Sequence, residues 1–312
     1  MTLFDAYLFI DWSAANNRHP QRPSADAVWT GECVPGLQHR VETTYHRTRQ
    51  GALAHILSFT LRQVSDGRRV LLGFDFPYGY PQGFAQALGL ANGPTVWSQL
   101  WADLAGRIQD TAINISNRFA VASDLNARVA AAGYGPFWGC PAARATANLG
   151  THSPDFPFQG GNGTVLSRLR IPEFRLPGTQ ETWKLYGNGS VGSQALVGIP
   201  YVHHLRHHAQ LRHCSKVWPF ETQFTNAPSP AAGPFILHAE IWPGVVRQQT
   251  QALVAANQQL IPDQAQVHAM CDWASGHDLQ GTLGQYFATP QGLTPGQVQV
   301  CTEQEGWVLG AL

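Results

Sequence analysis

Ala6-Tyr7-Leu8-Phe9-Ile10-Asp11 opens the readable part of the chain, and Val70-Leu71-Leu72-Gly73-Phe74-Asp75 repeats its pattern later. Each is an apolar run closed by an aspartate. A run without polar alternation suits a strand covered on both faces, because neither row of side chains meets water. Pro77 stops the second run, since proline has no N–H to give to a ladder. Ligands of open α/β sheets bind beyond the carboxyl ends of the strands. Asp11 and Asp75 are therefore the first candidates for a site.

Outward from these runs the pattern is mixed. Val28-Trp29-Thr30 and residues 40–45 read as weaker strands, the first set off by the proline-bearing stretch 18–24. Between the second of these and Val70 lies a helix over residues 51–64. Its Leu53, Ile56, Leu57, Leu61 and Val64 recur at spacings of three and four, and Asp66-Gly67 ends it. A third good strand, residues 235–242, carries Glu240 and ends at Pro243-Gly244. A helix follows from about Asp263. On a wheel of roughly 100° per residue, its Val267, Cys271, Ala274 and Asp278 share a sector of about 60°. Asp278 then faces the sheet, provided the helix survives Gly276, and Asp272 does not.

Residues 83–234 hold most of the Gly and Pro and half of the Trp, with helices expected over 96–108 and 123–132. No linker leads in or out. The expected organisation is one domain over 1–312, with 83–234 an insertion packed on its sheet.

Of the 312 residues, 44% are hydrophobic and 13% charged, about half the globular average of roughly 25%. Such a chain folds. Its net charge is zero, so no basic surface advertises a duplex nucleic acid. Arg18, Arg22, Arg68, Arg69, Arg168, Arg170 and Arg175 are candidates for a local basic patch, or else an ordinary solvated surface. The five cysteines are odd in number, far apart and never in C-x-x-C spacing. Asp5 and Asp11 interrupt the apolar start, so no signal peptide is expected, and no apolar run approaches the roughly 20 residues of a membrane helix. The expectation is a cytoplasmic protein with free thiols and no membrane partner.

Asp11, Asp75 and Glu240 come from strands and Asp278 from a closing helix. Converging carboxylates raise one another's pKa unless a cation sits among them. Oxygen ligands with open positions suit Mg²⁺ or Mn²⁺, and paired ions about 4 Å apart serve phosphodiester cleavage. The alternative is that these acids cap strands or pair with arginines.

Several blocks carry a resemblance. Ile10-Asp11-Trp12-Ser13-Ala14 and Gly73-Phe74-Asp75-Phe76-Pro77-Tyr78-Gly79-Tyr80-Pro81 resemble the two signature strands of a bacterial family of unknown function, grouped with predicted ribonuclease-H-like nucleases related in fold to Holliday-junction resolvases. The likeness continues through residues 135–141, 189–194, 217–222, 239–243 and 305–310, and so spans nearly the whole chain. It implies an α/β, ribonuclease-H-like mixed sheet flanked by helices, with a large central insertion. It matches Asp11, Asp75 and Glu240 to the family's acidic positions and, more loosely, Asp278. Some members carry names tied to cofactor biosynthesis. The neutral charge and the insertion depart from a typical resolvase, which puts nucleic acid as substrate in question.

Gly187-x-Gly189-x-x-Gly192 fits G-x-G-x-x-G, but a dinucleotide site needs a strand before it, a helix after it and an acid about 20 residues on. Residues 183–186 make a poor strand, Gly198 and Pro200 are expected to cut the helix short, and position 212 is Arg212. A nicotinamide- or flavin-dependent oxidoreductase is thereby disfavoured. A glycine turn presenting amides to a phosphate remains, with Ser193, Gln194 and Lys184 as contacts. His203, His204, His207, His208, His213 and Cys214 include metal-ligand spacings without the glutamate of H-E-x-x-H, and surface histidines are the plainer reading. Asn188 occupies the place where G-x-S-x-G around Ser190 needs glycine. Trp12 and Trp242 could stack on a base or pack in the core.

Two functions are expected from these observations. One is a metal-dependent phosphodiesterase or nuclease, with Asp11, Asp75, Glu240 and Asp278 holding Mg²⁺ or Mn²⁺ and Trp12, Ser13, Lys184, Ser193 and Gln194 touching the substrate. The other is a non-catalytic binding or assembly module for a small phosphorylated ligand, linked to cofactor biosynthesis.

Overall fold

The two apolar runs lie side by side. In the computed structural model, which describes residues 2–35, 40–91 and 93–311, they pair in parallel with Ile10 opposite Phe74. The first half of the chain forms β1 (Ala6–Asp11), β2 (Val28–Cys33), β3 (Glu42–His46), α1 (Arg49–Ser65) and β4 (Arg69–Phe74). The middle forms α2 (Phe84–Ala87), α3 (Val96–Arg107), α4 (Arg118–Val129), the small hairpin β5 (Phe158–Gln159) and β6 (Val165–Leu166), α5 (Ile171–Arg175), α6 (Val191–His207) and β7 (Ser215–Val217). The last part forms β8 (Phe235–Ile241), α7 (Arg247–Ala256), α8 (Pro262–Leu279), α9 (Pro295–Val300) and β9 (Val308–Leu309).

The result is a mixed α/β fold on a seven-stranded sheet flanked by helices, ordered β3-β2-β1-β4-β8-β7. β2 is antiparallel to β1 and to β3, while β4, β8 and β7 continue in parallel. β9 shares the outer edge of β8 with β7: Ser215 to Val217 pair with its first half, Val308 and Leu309 with its second. The segment 83–234 thus supplies a sheet strand as well as helices.

Side-chain alternation divides the core. Leu8, Ile10, Leu72, Phe74 and Ile236 face one way, into a cluster with α1, α3, α4 and α6. Tyr7, Phe9, Leu71, Leu237, Ala239 and Ile241 face the other way, onto Ala269, Met270, Cys271 and Ala274 of α8. α8 comes so close to β2 that a Cβ on Gly31 would sit 2.7 Å from the Val267 carbonyl oxygen.

One expectation is corrected here. Gly198 and Pro200 do not cut the helix short: α6 runs through both. Gly198 lets the Phe76 ring approach to where a Cβ would meet it at 2.4 Å. Buried Leu196, Val197, Ile199, Val202 and Leu205 hold the helix through the proline, because packing of its apolar face outweighs local propensity. All five cysteines are buried and none is in a disulfide. Among the described residues no helix is long and apolar enough to cross a membrane.

Candidate functional site

Parallel pairing of Ile10 with Phe74 brings the next residues, Asp11 and Asp75, together at the carboxyl edge of the sheet. Trp12 donates its N–H to Asp75 Oδ1 at 2.7 Å, and Asp75 donates its own N–H to the Ile10 carbonyl at 3.2 Å. Among the described residues no hydrogen-bond donor reaches the Asp11 carboxylate. Both acids line a cavity of about 500 Å³ with Ser13, Asp26, Asp263, Arg118, Ser193, Gln194 and the turn 185–191. A second cavity of about 600 Å³, lined by Trp242 and Arg247 among others, shares Asp75, Val191 and Gln194 with the first.

Two further acids close the wall, and neither stood out in the sequence. α8 runs antiparallel to β1, so its first turn carries Asp263 to the end of β1. There Asp263 Oδ2 accepts the Asp26 N–H at 2.7 Å, while Ser13 Oγ donates to the Asp26 carbonyl. Asp26 precedes β2, whose antiparallel pairing (Asp11 opposite Trp29) returns its start to the same edge. Pro262 at the first position of α8 and an acid beside it was a readable helix start. It marked the end of the helix that mattered.

The electrostatics follow from crowding. Burial, then the charges of Asp75, Asp263 and Asp26, hold the Asp11 carboxyl well above the usual carboxylate range. Burial pushes Asp75 up to about 7, against the pull of the Trp12 N–H. Asp263 is raised as well, again chiefly by burial.

Facing these acids is the first turn of α6. Gly187 (φ +88°) and Gly189 (φ +72°) adopt the left-handed conformation that shapes the turn before it. A Cβ on Gly192 would sit 2.3 Å from the Thr182 carbonyl oxygen, so the helix start presses directly on the preceding segment. Gln194 Nε2 donates to the Trp12 carbonyl at 2.5 Å, tying α6 to the end of β1. Ser193 Oγ donates to the Leu185 carbonyl and accepts from Arg118 Nε.

Of the expected acids, Glu240 and Asp278 are not brought to this site. Phe74 is the register partner of Glu240, so Glu240 projects to the opposite face of the sheet from Asp75. It is buried and paired with both Nη1 and Nη2 of Arg170, and accepts the Tyr78 N–H at 2.8 Å. Asp278 does face the sheet from an unbroken α8, but at the far end. Its carboxylate accepts the N–H groups of Leu3 and Phe4 and the hydroxyl of Tyr7.

The expected substrate contacts also divide. Ser13, Ser193 and Gln194 line the cavity. Trp12 lines it too, yet its indole packs on Phe74, Phe76 and Tyr201. Lys184 reaches back to the Asn188 carbonyl at 2.6 Å and steadies the turn instead. Only a single bridge, Trp138 with Lys184, precedes the glycines where a dinucleotide fold has a strand. The rings of His203 and His207 lie 4.3 Å apart on α6, tilted by 37°. Among the described residues no three His, Cys, Asp or Glu side chains lie close enough to hold one metal ion.

No family model, no curated protein and no solved structure matches this chain.

Proposed function

We propose that the protein is a divalent-cation-dependent phosphodiesterase acting on a small phosphorylated substrate at the Asp11–Asp75 edge. One observation carries this: Asp11 and Asp75 lie together on the wall of a cavity, and no donor among the described residues satisfies Asp11. Such a carboxylate calls for a proton or a cation.

The donor set suits Mg²⁺ or Mn²⁺, which are commonly held by one or two carboxylates, with water and substrate phosphate completing the shell. Asp11 and Asp75 would hold the ion, which supplies positive charge to the phosphoryl oxygens as negative charge builds there. Glu240 and Asp278 play no part in this reading. Asp75 is kept in position by the Trp12 N–H, and binding a cation would displace the proton that burial favours. The first turn of α6, on the other wall, favours an anion through its helix dipole, its Gly192 and Ser193 amides being given to the Lys184 and Ser190 carbonyls.

A strand order of 3-2-1-4-8, with β2 reversed, supports the ribonuclease-H-like arrangement that the sequence resemblance implies. The zero net charge and a cavity of about 500 Å³ favour a small substrate over a nucleic-acid duplex.

Calorimetric titration of Mn²⁺ into the wild type and an Asp11→Asn/Asp75→Asn variant tests this, alongside hydrolysis of bis(4-nitrophenyl) phosphate. Binding and turnover lost in a variant that still melts cooperatively is the expected result. Undiminished Mn²⁺ affinity in the variant removes the proposal. A second reading, a binding module without turnover, draws on the convergence of only two of the four expected acids, Asp11 and Asp75. Ligand-induced thermal stabilisation with no hydrolysis would favour it.

A further inference from the structure

Arg118 opens α4 and is buried, with 7% of its surface exposed. The other buried arginines each meet a carboxylate: Arg49 with Asp110, Arg69 with Asp5, Arg170 with Glu173 and Glu240. Arg118 meets none among the described residues. Its Nε donates to Ser193 Oγ at 2.9 Å, and Nη1 donates to Asn16 Oδ1 at 3.0 Å and Ser116 Oγ at 3.1 Å. The guanidinium lies over the Phe119 ring at 4.5 Å, but Nη2 has no hydrogen-bond partner among the described residues, and the side chain lines the same cavity as Asp11 and Asp75. The acid whose field it feels, Asp110, is already engaged by both Nε and Nη2 of Arg49 and by the Tyr201 hydroxyl.

A guanidinium cannot shed its proton at neutral pH, and burying one without a counter-charge is costly. Here it is held against the first turn of the 17-residue α6 by a serine of that turn. Two independent sources of positive potential therefore meet on one wall of the cavity, across from a wall of carboxylates.

We propose that Arg118 and the first turn of α6 form a phosphoryl-oxygen subsite, with Arg118 Nη2 as its donor. This deepens the reading of the same cavity given above. It assigns the two walls different tasks: the carboxylates take the cation, and Arg118 takes the anionic oxygen that the cation does not. A tetrahedral phosphoryl group has oxygens pointing both ways, which a planar carboxylate lacks. Arg is suited to it because its fork is rigid and two of its nitrogens are already pinned.

The test is calorimetric titration of inorganic phosphate into the full chain in EDTA, with sodium chloride at matched ionic strength as the control. Saturable binding of phosphate but not chloride is expected. Arg118→Lys should weaken it about tenfold or more, since the fork geometry is lost. Asp11→Asn/Asp75→Asn should bind phosphate as well or better, because like charges across the cavity are removed. Absence of phosphate binding to the wild type, binding of chloride to the same extent, or an unchanged affinity in Arg118→Lys overturns the subsite. If Arg118→Lys does not fold, Ser193→Ala, which frees Arg118 Nε, should weaken phosphate binding, and no change in it overturns the proposal. Loss of the cation reading leaves this result untouched, because no divalent ion is present in the titration.

Discussion

The backbone N–H of Trp12 donates to Asp75 Oδ1 at 2.7 Å, so the residue that follows one strand-end acid fixes the other. Asp75 is thus oriented by the backbone, whereas Asp11 has no donor among the described residues. The two carboxylates are alike in sequence and unlike in circumstance, and their variants should differ.

Asp11→Asn removes a crowded, buried charge without breaking a hydrogen bond. In EDTA at neutral pH it should stabilise the fold by about 1 kcal/mol, the scale of one pKa unit. Asp75→Ala strands the Trp12 N–H and should cost about 1–2 kcal/mol. Urea unfolding of the two variants reads both signs; destabilisation by Asp11→Asn would mean that the charge is compensated after all.

The acid pair also predicts a pH dependence. Asp75 is raised to about 7 in the fold, against roughly 3.9 in the unfolded chain. Between those values the folded state holds more protons, so this group's contribution to stability falls as pH rises through that window. Buried His46, lowered to about 4, and His238, lowered to about 3, act in the opposite direction near and below pH 6.5. The acid contribution is therefore read as the difference in melting temperature between wild type and Asp11→Asn/Asp75→Asn. That difference should widen in favour of the variant from pH 4 to 7, and Mn²⁺ should shrink it by stabilising only the wild type.

Glu240 belongs to an ion network, not to the cavity. Arg170 is fully enclosed by Glu173, Glu240 and the Glu305 carbonyl. Removing one partner of a buried pair leaves the other uncompensated, so Arg170→Met should cost about 3–5 kcal/mol. Glu240→Gln should destabilise in the same direction but leave Mn²⁺ affinity of the folded protein unchanged. A lost Mn²⁺ site in a folded Glu240→Gln variant would return Glu240 to the ligand set.

The two ends of α8 should separate stability from binding. Asp278→Ala deprives the Leu3 and Phe4 amides and the Tyr7 hydroxyl of their acceptor, at a cost of about 2–4 kcal/mol, and should leave Mn²⁺ binding alone. Asp263→Asn should weaken Mn²⁺ binding a few-fold by removing nearby negative charge. Equal effects of the two substitutions on Mn²⁺ affinity would contradict the placement of the site.

Much of the frame was legible because it depends on local pattern. The apolar runs ending in Asp11 and Asp75 read as strands covered on both faces, and the threes and fours of Leu53 to Val64 as a helix. The acid pair was a candidate from the same runs, and the parallel pairing of β1 with β4 brought the two ends to one edge. Asp263 and Asp278 show where this reasoning stops. The helical wheel identified Asp278 as facing the sheet, and it does, but a wheel carries no direction along the axis. For Glu240, knowing that a strand bears an acid does not tell which face it occupies. That depends on register with β4, which pairs Glu240 with Phe74.

The sequence by itself determined the central strands β1, β4 and β8, the helices α1 and α8, and an aspartate at the end of each of the first two strands, because periodicity and element boundaries are properties of neighbouring residues. The tertiary structure alone decided which distant groups join them. Antiparallel packing of α8 on β1 brought Asp263 to the cavity and took Asp278 away. The parity of one strand register turned Glu240 to Arg170. The docking of α4 against α6 left Arg118 facing the cavity with no carboxylate partner among the described residues. Each outcome rests on how far and in which direction separate elements are packed, and none of that is written in any one segment.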